Sequence, residues 1–195
     1  MARSKFLLAV LFALTTIPAL AHPGIGSITG FTAGFNHPMG GLDHILAMVA
    51  VGILAAQLGG RALWIVPGSF VGLMIVGGIL GATGGYVPFV EQGIVGSVIV
   101  LGAVVAIGRR LPLTLAVSLV GVLGIFHGHA HGTEMPANAI GLLYGAGFLA
   151  ATILLHVAGI ALGMGAKKAS DALAPAAVRI GGAAIAAAGL VLGLT

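Results

Sequence analysis

Residues 36–58 read NHPMGGLDHILAMVAVGILAAQL. The stretch opens on His37, Asp43 and His44, then runs from Ile45 to Leu58 with Gln57 as its one strongly polar side chain. Such a run, with no polar face recurring every turn, is what a helix in lipid needs. Pro38 and the Gly40-Gly41 pair predict a broken or re-entrant start around His37–Gly41, which is tolerable where backbone lines a cavity.

The rest of the 195-residue chain repeats the pattern. Apolar residues make up 59% and charged residues 6%, against roughly 25% charged in a soluble domain. Mean hydropathy is +1.19. The fold class is therefore an all-α integral membrane protein. Apolar runs at 41–58, 62–84, 92–108, 111–127, 139–164 and 174–194 predict six spans of about 20 residues each, and no segment is left for a soluble domain. The 34 glycines lack a collagen period and suit helices that pack backbone to backbone in lipid. Recurrences at Gly68/Gly72, Gly77/Gly81/Gly85, Gly141/Gly145 and Gly159/Gly163 have the spacing for close approach.

The first 21 residues read as a secretory signal: Arg3 and Lys5 precede an apolar run from Phe6 to Ile17, and Ala19-Leu20-Ala21 forms a cleavage site. Cleavage there leaves residues 22–195 as one transmembrane domain with His22 at its N-terminus. Six spans from an exported terminus place the segments near Arg61, Arg109-Arg110 and Lys167 to Arg179 on the cytoplasmic side. Every Lys and Arg after the leader falls in one of them, as the positive-inside rule requires. Both mature termini are then periplasmic, and the isoelectric point near 10.2 reports topology rather than nucleic-acid binding. The same ladder puts His22, His37, Asp43, His44, Glu91, His127, His129, His131 and Glu134 at or near the outer face, leaving only His156 and Asp171 elsewhere.

With no cysteine, thiolate sites and disulfides are excluded, and polar chemistry rests on seven histidines and four carboxylates. Ionisable residues at membrane depth are costly and usually functional or paired. His37, Asp43 and His44 offer two imidazoles and a carboxylate to a cation, although Asp43 also suits a plain helix start, where it complements the dipole. In the second cluster, FHGHAHGTEMP at 126–136, alternation places His127, His129 and His131 on one side of an extended segment, whereas a helix spreads them around its circumference. Glu134 follows three residues after His131. Cleavage gives His22 a free amine beside its imidazole, a two-nitrogen chelate or merely an exposed terminus. Glu91, Phe70 and His156 are candidates for a path through the membrane. Each also has a plainer reading: a solvated interface residue, a ring facing lipid, and a histidine bonded to a neighbouring helix.

These residues together resemble the HupE/UreJ family of bacterial membrane proteins, which are associated with nickel supply to hydrogenase and urease. The likeness spans essentially the whole chain. It is carried by the leader ending before His22, by Gly34-Phe35-Asn36-His37-Pro38 with Gly41-Leu42-Asp43-His44-Ile45-Leu46-Ala47-Met48, and by Phe126-His127-Gly128-His129-Ala130-His131-Gly132-Thr133-Glu134. The resemblance implies a secondary permease of the bacterial inner membrane. Ni2+ would be its transported substrate, with cobalt in relatives, and there would be no resident cofactor. It points to His37, Asp43 and His44 in the first motif and to His131 and Glu134 in the second. Asp43-His44 after an upstream histidine is also similar to the signature of the nickel/cobalt transporters, although the gap from His37 to Asp43 is longer here.

No G-x-x-x-x-G-K-[ST] loop occurs, so the chain carries no ATPase of its own. The expected partners are a divalent metal ion and the bilayer. A homo-oligomer and a cytoplasmic metallochaperone are both compatible with the sequence, and nucleic acid is not expected. Competing readings are a cobalt, copper or zinc carrier, in which Met39 and Met135 supply thioethers to a soft ion; a membrane metalloenzyme with water activated by Asp43 or Glu134; and an assembly factor without transport.

Overall fold

A computed structural model describes residues 30–109, 111–135 and 141–194. The leader and His22 lie outside these residues. Every regular element among them is helical: α1 (Phe31–Gly40), α2 (Leu42–Leu58), α3 (Ala62–Ala82), α4 (Val90–Ile107), α5 (Leu113–Thr133), α6 (Gly141–Ala169) and α7 (Ala174–Leu192). Helices α3 to α7 are each long and apolar enough to cross a bilayer. The pair α1 and α2 brings the number to six when taken as one broken span.

The break falls where the glycines place it. Gly41 is extended at φ −102° and ψ 119°, and the two axes meet at 87°. Pro38 lies inside α1 and removes one backbone donor just before the bend. Backbone in lipid tolerates such a break only against protein or a cavity. Here the break adjoins a polar cavity of about 350 Å3, lined in part by Gly40 and Gly41.

Polarity is distributed oppositely to that of a soluble protein. Trp64, Ile79, Leu142 and Ile180 project outward, whereas five histidines, Ser97 and Thr152 are buried. The apolar core runs through Met48, Leu54, Phe70, Val98 and Leu101. Water gives no drive to bury apolar side chains within a bilayer, so close packing must hold the helices together. At the seam of α3 with α5, a Cβ on Gly77 would fall on the Ile125 carbonyl, one on Gly81 on that of His129, and one on Gly128 on that of Met74. Gly52 and Gly159 make the equivalent approach between α2 and α6. The spacing at Gly77/Gly81 and Gly159/Gly163 is thus used between helices. Gly68, Gly72 and Gly145 instead face open space, because their side of the helix is turned from the bundle.

From α2 onward successive helices alternate in direction, so the α2–α3, α4–α5 and α6–α7 turns share one end, where Gln57 donates to the Val105 carbonyl. That end carries Arg61, Arg109, Lys167 and Lys168. Arg179 of α7 reaches across it, donating from Nε to the Ala106 carbonyl at 2.9 Å. The opposite end carries the α1–α2 break, the start of α4 and the end of α5, and there the polar residues converge.

Candidate metal site

Helix α5 continues through the whole of the second histidine cluster to Thr133. At about 100° per residue, His127 and His131 share a face and His129 points the other way. The extended alternative is therefore replaced by the helical one. His129 donates from Nε2 to the Gly85 carbonyl at 2.8 Å and clasps the α3–α4 loop, away from the other imidazoles.

Four imidazoles form a column between α1, α2 and α5. Ring centres lie 4.7 Å apart from His37 to His131, 4.3 Å from His131 to His44 and 4.6 Å from His44 to His127. At the outer end, single ligand atoms of His37, His131 and Glu134 lie within 4.8 Å of one another, and His37 Nε2 is 3.1 Å from Glu134 Oε2. The polar cavity opens on this end and is lined also by Asp43, His44 and Glu91. His127 lies deeper and is fully buried.

Hydrogen bonds fix which ring nitrogen is free. Asp43 Oδ1 accepts from His44 Nδ1 at 3.0 Å and from the His44 backbone N–H at 2.8 Å. His44 Nε2 then carries the lone pair, and it has no partner. Ser97 of α4 donates its hydroxyl proton to the Ile94 carbonyl at 2.6 Å, so at 2.7 Å its oxygen must accept from His127 Nε2–H. His127 Nδ1 is left with a lone pair and no partner, and neither nitrogen of His131 has one. A metal ligand held by a hydrogen bond through its other nitrogen is the usual arrangement of a histidine site. Buried polar atoms without partners each cost about 1–3 kcal/mol, which an arriving cation would relieve. Neutral imidazole with carboxylate suits first-row divalent ions.

Phe70 of α3 is fully buried at the inner end of the column, its ring centre 5.4 Å from His127 and 5.2 Å from His156. The structure therefore turns it inward rather than to lipid. The thioethers lie elsewhere: Met39 packs against the apolar core and Met135 lines an apolar groove between α3, α5 and α6.

His37, Asp43, His44, His127, His131 and Glu134 are thus brought together with Glu91 at the rim. His129 is not, and His156 sits beyond Phe70. Sequence reasoning passed over Ser97, as well as Tyr144 and Phe148 of α6, whose rings lie 6.0 Å from His37 and 4.0 Å from His131. A lone hydroxyl or ring in an apolar span carries no signal of its partner across the bundle.

The model of the family described as HupE / UreJ protein matches residues 9–192. Protein HupE of Rhizobium leguminosarum bv. viciae is 47% identical over 182 residues, covering 92% of this chain and 93% of that protein. No solved structure matches the chain.

Proposed function

The chain belongs to the HupE / UreJ family, and from that premise we propose that it is a secondary permease carrying Ni2+ from the periplasm to the cytoplasm for metalloenzyme maturation. The observation that carries this reading is the imidazole column: stacked rings with unpartnered nitrogens inside an otherwise apolar bundle, open at one end to a polar cavity. Glu91 and Glu134 draw a dication to the mouth. His37, His131 and Glu134 exchange ligands for part of its water shell, and His44 and His127 receive it further in. Asp43 and Ser97 hold these last two rings in the tautomers that present a lone pair inward. Phe70 ends the outer compartment. The basic residues of the opposite end support its being the cytoplasmic one.

Nitrogen and oxygen donors around the cavity favour a borderline ion such as nickel or cobalt over Cu(I), for which Met39 and Met135 stand in the wrong place. The deciding experiment is flux into proteoliposomes of nickel, cobalt, copper and zinc side by side. Nickel accumulation supports the reading. Tight retention of one metal without flux turns it toward an enzyme or assembly factor.

Two further outcomes follow. Removing the Ser97 hydroxyl frees His127 to rotate or change tautomer. Ser97→Ala is expected to lower nickel affinity 10–100-fold, the usual cost of losing a ligand's outer hydrogen bond, while Ser97→Thr retains most of it, as read by calorimetry on purified protein. Protons also compete with metal for imidazole nitrogens, so nickel affinity measured across pH should fall steadily in mild acid and recover on return to neutrality.

A further inference from the structure

The basic end of the bundle carries cations that are poorly balanced by carboxylates. Arg61, Arg109, Lys167, Lys168 and Arg179 are all exposed, and Asp171 is the one acid in the same connections. None of the five forms an ion pair among the described residues. Four of them lie in turns or at helix ends, where a basic residue need do no more than mark topology. Arg179 is set differently.

It is the sixth residue of α7, about 8 Å along the axis from the helix start. With 19 residues α7 is about 28 Å long, close to the thickness of the hydrocarbon, so Arg179 stands near the depth of the headgroups. Its stem lies over Gly108, where a Cβ would come within 3.2 Å of Cγ and Cδ, and its Nε donates to the Ala106 carbonyl at 2.9 Å. Gly108 ends α4 at φ 65°, a left-handed turn that suits glycine, and Arg109 follows it directly. One turn on from Arg179, a Cβ on Gly182 would meet the backbone of Ala106, so Arg179 sits on the α4–α7 seam. With Nε committed, its two terminal nitrogens have no protein partner among the described residues. Ile107 and Ile180, next in the chain to Gly108 and Arg179, are exposed and apolar.

We propose that Arg179 and Arg109 bind the headgroup phosphate of an anionic phospholipid at the α4–α7 seam. A guanidinium held by one nitrogen still presents a planar pair of donors, which matches two phosphate oxygens. Depth selects the source of the phosphate: headgroup level, with Ile107 and Ile180 exposed alongside, suits a molecule that brings acyl chains as well as an anion. The unbalanced charge of this end selects an anionic lipid over a zwitterionic one. A headgroup bound there ties α7 to α4 beyond the packing at Gly102 and Gly182, and so stabilises the fold by mass action. The site lies at the opposite end from the imidazole column and does not depend on the permease reading.

The test is thermal unfolding of the full chain in detergent, titrated with phosphatidylglycerol, phosphatidylcholine or inorganic phosphate. Phosphatidylglycerol should raise the midpoint well above the other two. Arg179→Gln and Arg109→Gln should each weaken the apparent affinity for phosphatidylglycerol about tenfold, the cost of losing charge-assisted hydrogen bonds. Lys167→Gln, which removes a cation borne by α6, should leave it unchanged. Arg109 makes no hydrogen bond among the described residues, so its variant keeps the α4 cap and reads the lipid effect should Arg179→Gln fail to fold. Equal responses to the two lipids, or an equal rise from inorganic phosphate, overturn the proposal. So does a loss in Lys167→Gln as large as in Arg179→Gln, which shows only diffuse attraction. An Arg179→Gln protein that is less stable without lipid yet keeps the full response also overturns it, and leaves Arg179 as a helix cap.

Discussion

Replacing His44 by alanine is expected to reduce nickel uptake at least 100-fold while the protein remains folded in the membrane. His44 joins the two halves of the column, with His131 at 4.3 Å on one side and His127 at 4.6 Å on the other. It is also the ring whose free nitrogen is fixed by a carboxylate, through the 3.0 Å bond from Nδ1 to Asp43. Removing it takes away a ligand and widens the gap between the neighbouring imidazoles. Asp43→Asn makes the finer distinction, because it keeps the shape and loses the charge that holds the tautomer. A loss of 10–100-fold is expected there, since outer partners of metal ligands commonly contribute that much. Uptake of radioactive nickel, normalised to the amount of protein in the membrane, measures both. Uptake that is unaltered at normal abundance removes the two residues from the site.

The second large effect concerns assembly rather than ligands. Gly128→Val is expected to prevent the bundle from forming, because the added Cβ would land on the Met74 carbonyl and within 2.9 Å of the Gly78 nitrogen. Overpacking a core costs about 1–3 kcal/mol when side chains can shift. Here the obstacle is backbone, so the helices must separate. That separation also withdraws Gly77, Gly81 and Gly132 from their contacts and displaces His127 and His131 from the column. The matched control is Gly68→Val on α3, where a Cβ meets nothing within 4 Å. Size-exclusion profiles and thermal unfolding in detergent should show aggregation or severe loss of yield for the first, and near wild-type behaviour for the second. Equal behaviour of the two variants would show that the α3–α5 seam does not hold the bundle.

Much of this was legible in the chain. The apolar runs gave the spans, and Pro38 with Gly40-Gly41 gave the 87° break, because proline and glycine punctuate backbone directly. Asp43, His44 and His37 stood out because charge is scarce. The second cluster was less legible. Its glycines and alternating histidines weaken helix propensity in water, but lipid obliges the backbone to bond to itself, and α5 runs on to Thr133. That continuation separates His129 from His127 and His131. The direction of Phe70 was undecided by sequence, since a lone ring in a span serves equally well facing lipid or protein. Ser97 was invisible for a related reason: its significance lies in pairing across helices, and no local pattern encodes it.

The seam that carries the column has a mechanical consequence. Where α3 and α5 meet, backbone rests on backbone, and few side chains lie between them to change rotamer and let one helix slide past the other. The pair therefore behaves as a stator. The same contact recurs where α1 meets α6, at Gly34 and Gly147, and where α2 meets α6, at Gly52 and Gly159, so the part of the column left free to move is the Phe70 ring, which needs to turn about its own torsions alone. A path built this way would open and shut by rotating one ring, without rocking half the molecule.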